Sequence, residues 1–384
     1  MRKIRVLFFE SGRRGGSIFR LRSVLERTDR DRFEAGFVSY YSDQAAATLF
    51  RVEGLFCRHS LGLRWEQPDV FKHPFGLAVP TPFALYYFVA SLVLLWRHRP
   101  SVVYMNTGID GHQPAIWAAR LLGVPVVCHI RTSRPLSRDE RRTARRVQRF
   151  VACTRWGVEH YRAQLARPAA DVSLVYDGID LDEFDTRAAK AAAPPVPEGA
   201  LYVCQVGSLI PRKRPRLAVE AVALARQRCP ELRLVLAGDG PLRDELARLL
   251  SEADLAAAVV MAGHSKEIPA LLRRCSIGLL VSEHEGLPNA VMEYMAAGLP
   301  VVAALLPGLD ELVMNGRTGL IVEDPTPARL AESLLQLALS GEKRAAFGAA
   351  ARKRIEEGPF GVDAEARAVE AVLARAVGEP AAPS

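Results

Sequence analysis

The sequence predicts an α/β protein of two domains, each built around a parallel β-sheet with helices on both faces. Its 384 residues are too many for one ordinary hydrophobic core and fit two domains of roughly 150 to 200 residues. Short β-branched segments alternate with helical patterns, which is typical of parallel sheets. An Ala- and Pro-rich stretch over residues 187–200 interrupts this alternation, which then restarts.

In the first half, the pattern predicts six strands within an N-terminal domain of residues 1–186. A helix with one apolar face is expected to begin at about Ser17, after the turn that ends the first strand. The 14 uncharged residues 83–96 fall short of the roughly 20 that span a bilayer, so they predict a buried or interfacial helix. The strands are predicted at residues 4–9, 33–40, 101–106, 124–130, 149–154 and 171–178.

After a linker at residues 187–200, the pattern predicts a C-terminal domain of residues 201–360. A final helix over residues 363–377 is expected to pack back towards the first domain, within a segment 361–384 that ends in a disordered tail. Polar or glycine-containing turns follow the strands, and open parallel sheets bind ligands at these carboxyl ends. The strands are predicted at residues 201–208, 232–240, 258–263 and 276–282, with helices near 215–227, 241–251, 267–274 and 288–298.

Six cysteines are scattered through the chain, mostly in apolar runs, and no two form a Cys-x-x-Cys pair. We therefore expect them to be reduced core residues and not disulfides or metal ligands. The apolar run before Glu10 is too short for a signal peptide. A cytoplasmic location is therefore expected.

Positive charge is concentrated in the first half of the chain. Residues 1–190 hold 30 basic against 19 acidic side chains, whereas residues 191–384 hold 21 against 24. The segment 131–149 is especially rich in arginine, and such a surface would attract an anionic membrane at its inner face or a diphosphate-linked acceptor; a solvated helix face is the plain alternative. Nucleic acid is not an expected partner, because the basic surface lacks interleaved aromatic residues and a recognisable reading module.

Two glutamates, Glu285 and Glu293, flank a predicted helix start at Pro288. Proline suits the first turn of a helix, and Gly298 followed by a proline suits its end. A partly buried carboxylate such as Glu293 needs a hydrogen-bonding partner, for which a sugar diol is suitable. The turn before the helix offers N–H groups and the positive end of the helix dipole, which favour a diphosphate.

The segment SEHEGLPNAVMEYMAAGLPVV, residues 282–302, resembles the Glu-x7-Glu motif of the retaining family 4 glycosyltransferases. These enzymes have the GT-B fold, in which two Rossmann-like domains with parallel sheets face each other across a cleft. The resemblance extends over nearly the whole chain, and the combination of segments makes it specific. The other similar segments are the GGS turn after the first strand and residues 177–180, 206–221, 234–246 and 307–322.

The resemblance implies a nucleotide-sugar site in the second domain. Glu293 would bind the ribose hydroxyls and Glu285 the hydroxyls of the donor sugar, with a simple surface charge as the alternative for each. Gly238 and Gly240 are expected to shape a turn beneath the nucleotide. The residues implied at the diphosphate through their backbone are Gly286, Leu287, Pro288 and Asn289.

Lys213 matches the family's diphosphate-binding lysine, and a solvated basic loop is the alternative for it. The chain departs from the family pattern at Ser208, where many members have arginine. One cationic contact is therefore either lost or supplied by Arg212 or Arg214. Lys213, Ser208 and Arg212 all belong to the expected donor-binding set.

The resemblance also implies roles in the first domain. Gly15 and Gly16 would lie against the donor phosphates, or would simply allow a sharp turn. His129 would contact the transferred sugar and complete the catalytic set with Glu285 and Lys213, or would be a histidine at the edge of the core. Asp110 and His112 are candidates for acceptor contacts.

The implied function is retaining transfer of a sugar from a UDP- or GDP-sugar to a lipid-linked or glycan acceptor, in surface polysaccharide or glycolipid assembly. The leaving diphosphate would help to deprotonate the acceptor, while the protein holds both substrates and stabilises the leaving charge. No metal or other cofactor is expected, because no His and carboxylate cluster has metal-ligand spacing. The alternatives are a nucleotide-sugar epimerase or phosphorylase of the same fold and, remotely, a non-catalytic nucleic-acid-binding protein.

Overall fold

The chain divides into two compact units, residues 1–178 with 362–384 and residues 179–361. Each unit contains a parallel β-sheet with helices packed on it, so the predicted α/β class with two Rossmann-like domains is confirmed. In the computed structural model, the described residues are 3–11, 16–41, 51–63, 82–166, 168, 171–190, 196, 200–252, 255–265 and 267–379.

The first unit is built on a sheet of strand order β3-β2-β1-β4-β5-β6-β7. Its strands are β1 (Ile4–Glu10), β2 (Phe33–Tyr41), β3 (Arg58–Leu63), β4 (Val102–Met105), β5 (Val126–Ile130), β6 (Arg149–Ala152) and β7 (Val172–Leu174). Its helices are α1 (Gly16–Arg27), α2 (Pro82–His98), α3 (Gln113–Leu121), α4 (Arg138–Ala144), α5 (Arg155–Leu165) and, from the end of the chain, α13 (Val362–Ala376). Alternate residues of β1 face two separate cores, one shared with α2 and α3 and the other with α1 and α13.

The second unit is built on a sheet of strand order β10-β9-β8-β11-β12-β13. Its strands are β8 (Leu201–Val206), β9 (Leu232–Ala237), β10 (Val259–Gly263), β11 (Ile277–Leu280), β12 (Val301–Ala304) and β13 (Gly319–Val322). Its helices are α6 (Leu181–Lys190), α7 (Pro215–Arg226), α8 (Arg243–Glu252), α9 (Ile268–Leu272), α10 (Asn289–Ala296), α11 (Pro327–Ala338) and α12 (Gly341–Glu357).

Each sheet has a point at which the order of its strands reverses. In the first sheet this switch point lies between β1 and β4, and in the second between β8 and β11. Loops at the carboxyl ends of neighbouring parallel strands diverge there and leave a crevice that commonly binds ligands. The loops that follow β1, β4, β8 and β11 are therefore the expected ligand-binding loops.

Several elements differ from the sequence predictions. Strands β3, β12 and β13 were not predicted, and the strand predicted over residues 171–178 is limited to β7. Helix α6 runs through residues 187–190, which the composition had placed in the linker. Acidic side chains in the first turn of α6 and basic ones in its last turn complement the helix dipole, and no proline interrupts it before Pro194.

The apolar segment 83–96 forms most of α2. Tyr87, Leu94 and Leu95 of this helix are buried in the core of the first unit. Among the described residues, no helix combines the length and the apolar character needed to cross a bilayer.

Candidate active site

The loops that follow β8 and β11 meet at the switch point of the second sheet. Lys213 closes a short 3-10 turn in the first of these loops, and Glu285 lies in the second. The ammonium of Lys213 donates a hydrogen bond to Oε1 of Glu285, and Nη1 of Arg212 lies 3.1 Å from the same oxygen. The structure therefore brings Glu285 together with Arg212 and Lys213, which lie about 70 positions earlier in the sequence.

Glycines allow the loop that carries Lys213 to adopt its path. Gly207 has φ +147°, in the region that favours glycine. A Cβ on Gly238 would lie 1.9 Å from the carbonyl oxygen of Gly207, and one on Gly240 would lie 2.5 Å from that of Leu209. The turn after β9 therefore packs directly against the backbone of the loop after β8.

The charge of Glu285 is set by two opposing effects. Burial by itself would raise its pKa, but Lys213 and Arg212 outweigh burial and hold the pKa of Glu285 below its ordinary value. Only 13% of the Glu285 side chain and 16% of the Lys213 side chain is exposed. At neutral pH the site therefore contains a carboxylate held between two cations.

Helix α10 begins directly after the Glu285 loop. Pro288 is its N-cap residue and has no side-chain acceptor for the N–H groups of the first turn, while Gly298 follows its end with φ +71°. Glu293 lies on this helix and is half-buried. Of the other residues implied here, Gly286 and Asn289 are half-buried, Leu287 and Pro288 are buried, and Ser208 is exposed.

Tyr294 fixes α10 against the sheet. The backbone N–H of Val206, at the end of β8, donates to the Tyr294 hydroxyl at 2.7 Å. A Cβ on Gly278 of β11 would lie 2.3 Å from the Tyr294 ring, so only glycine leaves room for this ring. The helix that carries Glu293 is thereby held in place relative to the strands whose loops carry Lys213 and Glu285.

His129 lies inside the first unit. The ring is fully buried, its Nδ1 lies 2.7 Å from the Tyr104 hydroxyl, and its Nε2 lies 3.4 Å from the sulfur of Cys153. Burial lowers the pKa of His129 well below its ordinary value, with a smaller contribution from Arg131, so the ring is neutral. Both ring nitrogens thus already have partners from neighbouring strands.

Asp110 and His112 lie in a short turn after β4. Asp110 is exposed and pairs with Arg134 at 3.0 Å. His112 is fully buried, its Nε2 lies 3.0 Å from the Thr107 hydroxyl, and that hydroxyl lies 2.6 Å from the one of Ser11. Burial lowers the pKa of His112 to about 3, so it cannot act as a cation near neutral pH. The loops after β1 and β4 therefore meet, as the switch point of the first sheet requires.

Two glycines were predicted to lie in the turn after β1. Gly15 lies outside the described residues, whereas Gly16 is the first residue of α1. The side-chain amide of Asn106, which follows β4, donates to the Ser17 carbonyl at 3.1 Å. This contact links the start of α1 to the loop after β4.

Arg131 forms a buried network that the sequence did not suggest. Its guanidinium pairs with Asp177, lies 3.5 Å from Glu365 of α13 and donates to the Asn106 carbonyl at 3.1 Å. Glu365 also accepts a hydrogen bond from the backbone N–H of Gly178 at 2.8 Å. The network joins three distant parts of the first unit at the carboxyl ends of its strands.

Polar residues directly after apolar strands are the signal that could have revealed this network. Asn106 follows β4 and Arg131 follows β5. Thr107 also follows β4, and this position could have indicated its contact with Ser11. A buried strand that ends in a polar side chain places that side chain at the ligand-binding edge of a parallel sheet.

Family models match most of the chain. A model described as "Glycosyltransferase Family 4" matches residues 40–183, and one described as "Glycosyl transferases group 1" matches residues 186–354. The boundary between the two matches falls close to the boundary between the two structural units.

Curated relatives are glycosyltransferases by name. A D-inositol 3-phosphate glycosyltransferase of Streptomyces scabiei (strain 87.22) is 30% identical over 334 residues, which cover 77% of this chain and 73% of that protein. The putative colanic acid biosynthesis glycosyltransferase WcaL of Escherichia coli (strain K12) is 30% identical over 198 residues, 49% of this chain and 48% of that protein. Against WcaL, as against several other relatives, the match spans about half of the relative's length.

Solved structures share the fold at low sequence identity. Anabaena Alr3699/HepE, in complex with UDP and glucose, superimposes with a TM-score of 0.76 over 97% of this chain and 100% of that chain, at 20% identity. Sucrose-phosphate synthase from Thermosynechococcus elongatus superimposes with a TM-score of 0.73, which covers 97% of this chain and 99% of that chain, at 16% identity. Two parallel Rossmann-like units, the two family matches and the relative aligned over most of its length agree, so this chain belongs to the family 4 glycosyltransferases and has the GT-B fold.

Proposed function

We propose that the protein transfers a sugar, with retention of anomeric configuration, from a UDP- or GDP-sugar to a lipid-linked or glycan acceptor. The observation that carries the proposal is the Glu285–Lys213 pair at the switch point of the second sheet, beside the start of α10. This arrangement provides one carboxylate for sugar hydroxyls and two cations for a diphosphate. It occurs where open parallel sheets bind nucleotides.

The names of similar proteins support this choice of donor and acceptor. One relative, from Mycobacterium tuberculosis, is named a GDP-mannose-dependent mannosyltransferase acting on a phosphatidylinositol mannoside. Structures of Anabaena Alr3699/HepE are described with UDP, glucose and UDP-glucose. WcaL is named for colanic acid, a polysaccharide. Epimerase and phosphorylase activities are not favoured by these names.

In the proposed reaction, Lys213 and Arg212 neutralise the negative charge that develops on the leaving diphosphate, and the N-terminus of α10 adds its dipole to theirs. Glu285 accepts hydrogen bonds from the donor sugar, and Glu293 binds the ribose. The bond from the anomeric carbon to the diphosphate breaks, the acceptor oxygen bonds to that carbon on the same face, and the acceptor proton passes to the diphosphate. We propose that this step needs no metal and no cofactor.

The donor can be identified by thermal-shift measurements with a panel of UDP-, GDP- and ADP-sugars. We expect one nucleotide class to raise the melting temperature, because a ligand at 100 times its Kd stabilises the folded state by about 2.7 kcal/mol. Glu293→Ala is expected to lose at least tenfold in affinity for that nucleotide. Glu332→Ala, which alters an exposed glutamate of the same unit, is the matched control and should bind as the parent does.

If no nucleotide-sugar stabilises the protein, and Glu293→Ala binds nucleotide as well as the parent, the proposal is wrong. Turnover of the donor without any acceptor would instead indicate an epimerase or a hydrolytic activity. The anomeric configuration of the product, determined from proton couplings in its NMR spectrum, tests retention.

We also propose that the first unit binds the surface of an anionic membrane, which would place the enzyme at the cytoplasmic face where lipid-linked acceptors are presented. Helices α2 and α3 pack together over one face of the first sheet. Their outward sides, with the residue that follows α3, expose large apolar side chains, which we call the apolar face: Leu85, Tyr86, Val89, Val93, Trp96, Leu121 and Leu122.

Arginines lie beside the apolar face. Arg120, Arg145 and Arg146 line a pocket of about 310 Å³ at the amino end of β5, and Arg146 stacks on Trp117 at 3.3 Å. Burial, and then the charges of Arg142, Arg120 and Arg145, lower the pKa of Arg146. Apolar side chains beside arginines match the acyl boundary and the phosphates of an anionic bilayer.

Flotation with liposomes tests this surface. The parent is expected to float with phosphatidylglycerol-containing vesicles and much less with pure phosphatidylcholine. Trp96→Glu should abolish flotation, whereas Leu339→Glu, at an apolar residue of the second unit with similar exposure, should leave it unchanged. Equal flotation of parent and Trp96→Glu, or none at all, would contradict the proposal.

A further inference from the structure

Cys57, His59 and His98 form a cluster at the edge of the first sheet, apart from every residue assigned above to the reaction. The thiol sulfur and one nitrogen of each ring lie within 4.8 Å of one another, and the two Nε2 atoms are 2.9 Å apart. We propose that these three side chains bind a zinc ion that ties the edge strand β3 to the end of α2.

The fold positions each ligand independently. Cys57 directly precedes β3, His59 is the second residue of that strand, and His98 is the last residue of α2. Gly36 of β2 makes room for the thiol, because a Cβ there would lie 2.6 Å from the Cys57 sulfur. The His98 ring packs against Phe56, with ring centroids 5.6 Å apart, and this contact limits its orientations.

The donor set suits zinc. One thiolate and two imidazoles are ligands that zinc binds at about 2.0 to 2.3 Å, usually in tetrahedral geometry, with water able to take the fourth position. Such bond lengths place two ligand atoms roughly 3.3 to 3.8 Å apart, so small side-chain rotations would bring these three atoms around one ion. Hard cations such as magnesium prefer oxygen ligands and are not expected here.

Two charged neighbours, Arg5 and Arg58, have other partners. Arg5 pairs with Glu34 at 3.1 Å and donates to the His98 carbonyl at 3.0 Å, and Arg58 donates to the Val52 carbonyl. Arg97 is exposed to solvent. The carboxyl end of α2 adds a partial negative charge beside His98.

Burial shifts the pKa of each of the three side chains. Burial is the main cause that lowers the pKa of His59 and of His98, so both rings are neutral at pH 7 and each has a lone pair. Burial raises the pKa of the Cys57 thiol to about 11, so a metal would have to displace the proton of this thiol.

A metal at this position would close the long stretch of chain between His59 and His98. Because the three side chains come together only in the folded chain, the free energy of metal binding would add to the free energy of unfolding. The site is therefore structural, and it leaves the proposed metal-free transfer unaffected.

The experiment uses the full-length protein, stripped with EDTA, dialysed and reloaded with zinc or cobalt(II). We expect one metal per chain by mass spectrometry of the metal content, a higher melting temperature with zinc, and a cobalt spectrum with a thiolate charge-transfer band in the near ultraviolet. Cys57→Ser should lose that band, and His98→Gln should lose stoichiometric binding. Cys229→Ser, which removes a buried thiol elsewhere, and His264→Gln should behave as the parent does.

Failure to retain metal after dialysis would overturn the proposal. So would a cobalt spectrum without the thiolate band, or stoichiometric binding that survives Cys57→Ser combined with His98→Gln. None of these measurements involves a nucleotide-sugar, so their outcome is independent of the proposed transferase activity.

Discussion

Replacement of Lys213 by alanine is expected to slow sugar transfer about 100- to 1,000-fold, the loss typical of removing one group that stabilises a developing negative charge. Lys213 is held by Glu285 at the switch point of the second sheet, so it is positioned before the donor binds. A charge that is already in place needs no reorganisation when the diphosphate leaves. Initial rates at saturating donor measure this loss.

Two companion variants separate charge from position. Lys213→Arg keeps the charge and should recover part of the rate, although a guanidinium is larger and forked. Arg212→Ala should slow transfer less than Lys213→Ala does, because the Arg212 guanidinium also donates a hydrogen bond to the His284 carbonyl, at 2.7 Å. A Lys213→Ala protein with parental rate and a parental melting temperature would remove Lys213 from the mechanism.

Replacement of Arg131 by methionine is expected to lower the free energy of unfolding by about 3 to 5 kcal/mol, the usual cost of leaving buried charges without their partner. Asp177 would lose its counter-ion and Glu365 would lose a polar partner inside the first unit. Urea unfolding followed by circular dichroism measures the effect. Arg162→Met, which breaks an exposed pair with Glu159, is the control and should change stability by less than about 1 kcal/mol.

The same network gives stability a defined dependence on pH. Burial, and then the charge of Asp177, raise the pKa of Glu365 to about 7 against the opposing effect of Arg131. The folded state therefore holds a proton on Glu365 that the unfolded chain has released, so this residue's contribution falls as pH rises from the ordinary value of 4.5 to about 7. Glu365→Gln should reduce that decline, and an unchanged slope would contradict the assignment.

Alternation of strands and helices could be predicted from the sequence because each strand is an apolar run bounded by turns. β3 and β13 show this signature only weakly, whereas β12, VVAA, is a buried apolar run between turns and could have been predicted. β3 is an edge strand with polar residues, RHSLGL, and β13 begins with glycine. Edge strands pack on fewer neighbours, so their sequences need less apolar character. The start of α10 could be predicted because proline is tolerated near a helix start, although the structure places Pro288 at the N-cap and not in the first turn.

Contacts between side chains could be predicted only where the topology decides them. Lys213 and Glu285 both follow strands, and the resemblance assigned each a role, but their direct pairing is a product of the strand order. The contact between Arg131 and Glu365 joins residues 234 positions apart, and no local pattern points to it. The cluster of Cys57, His59 and His98 was not predicted for the same reason. Cys57 and His59 lie before α2, whereas His98 is its last residue, so the three are not close in the sequence.

The return of α13 to the first unit has a consequence for synthesis of the protein. Residues 179–361 form the second unit without interruption, whereas the first unit needs residues at both ends of the chain. Val369, Val372 and Leu373 of α13 fill the core that α1 shares with the sheet. On the ribosome, the first unit, although made earlier, therefore cannot complete its core until its last helix has been synthesised.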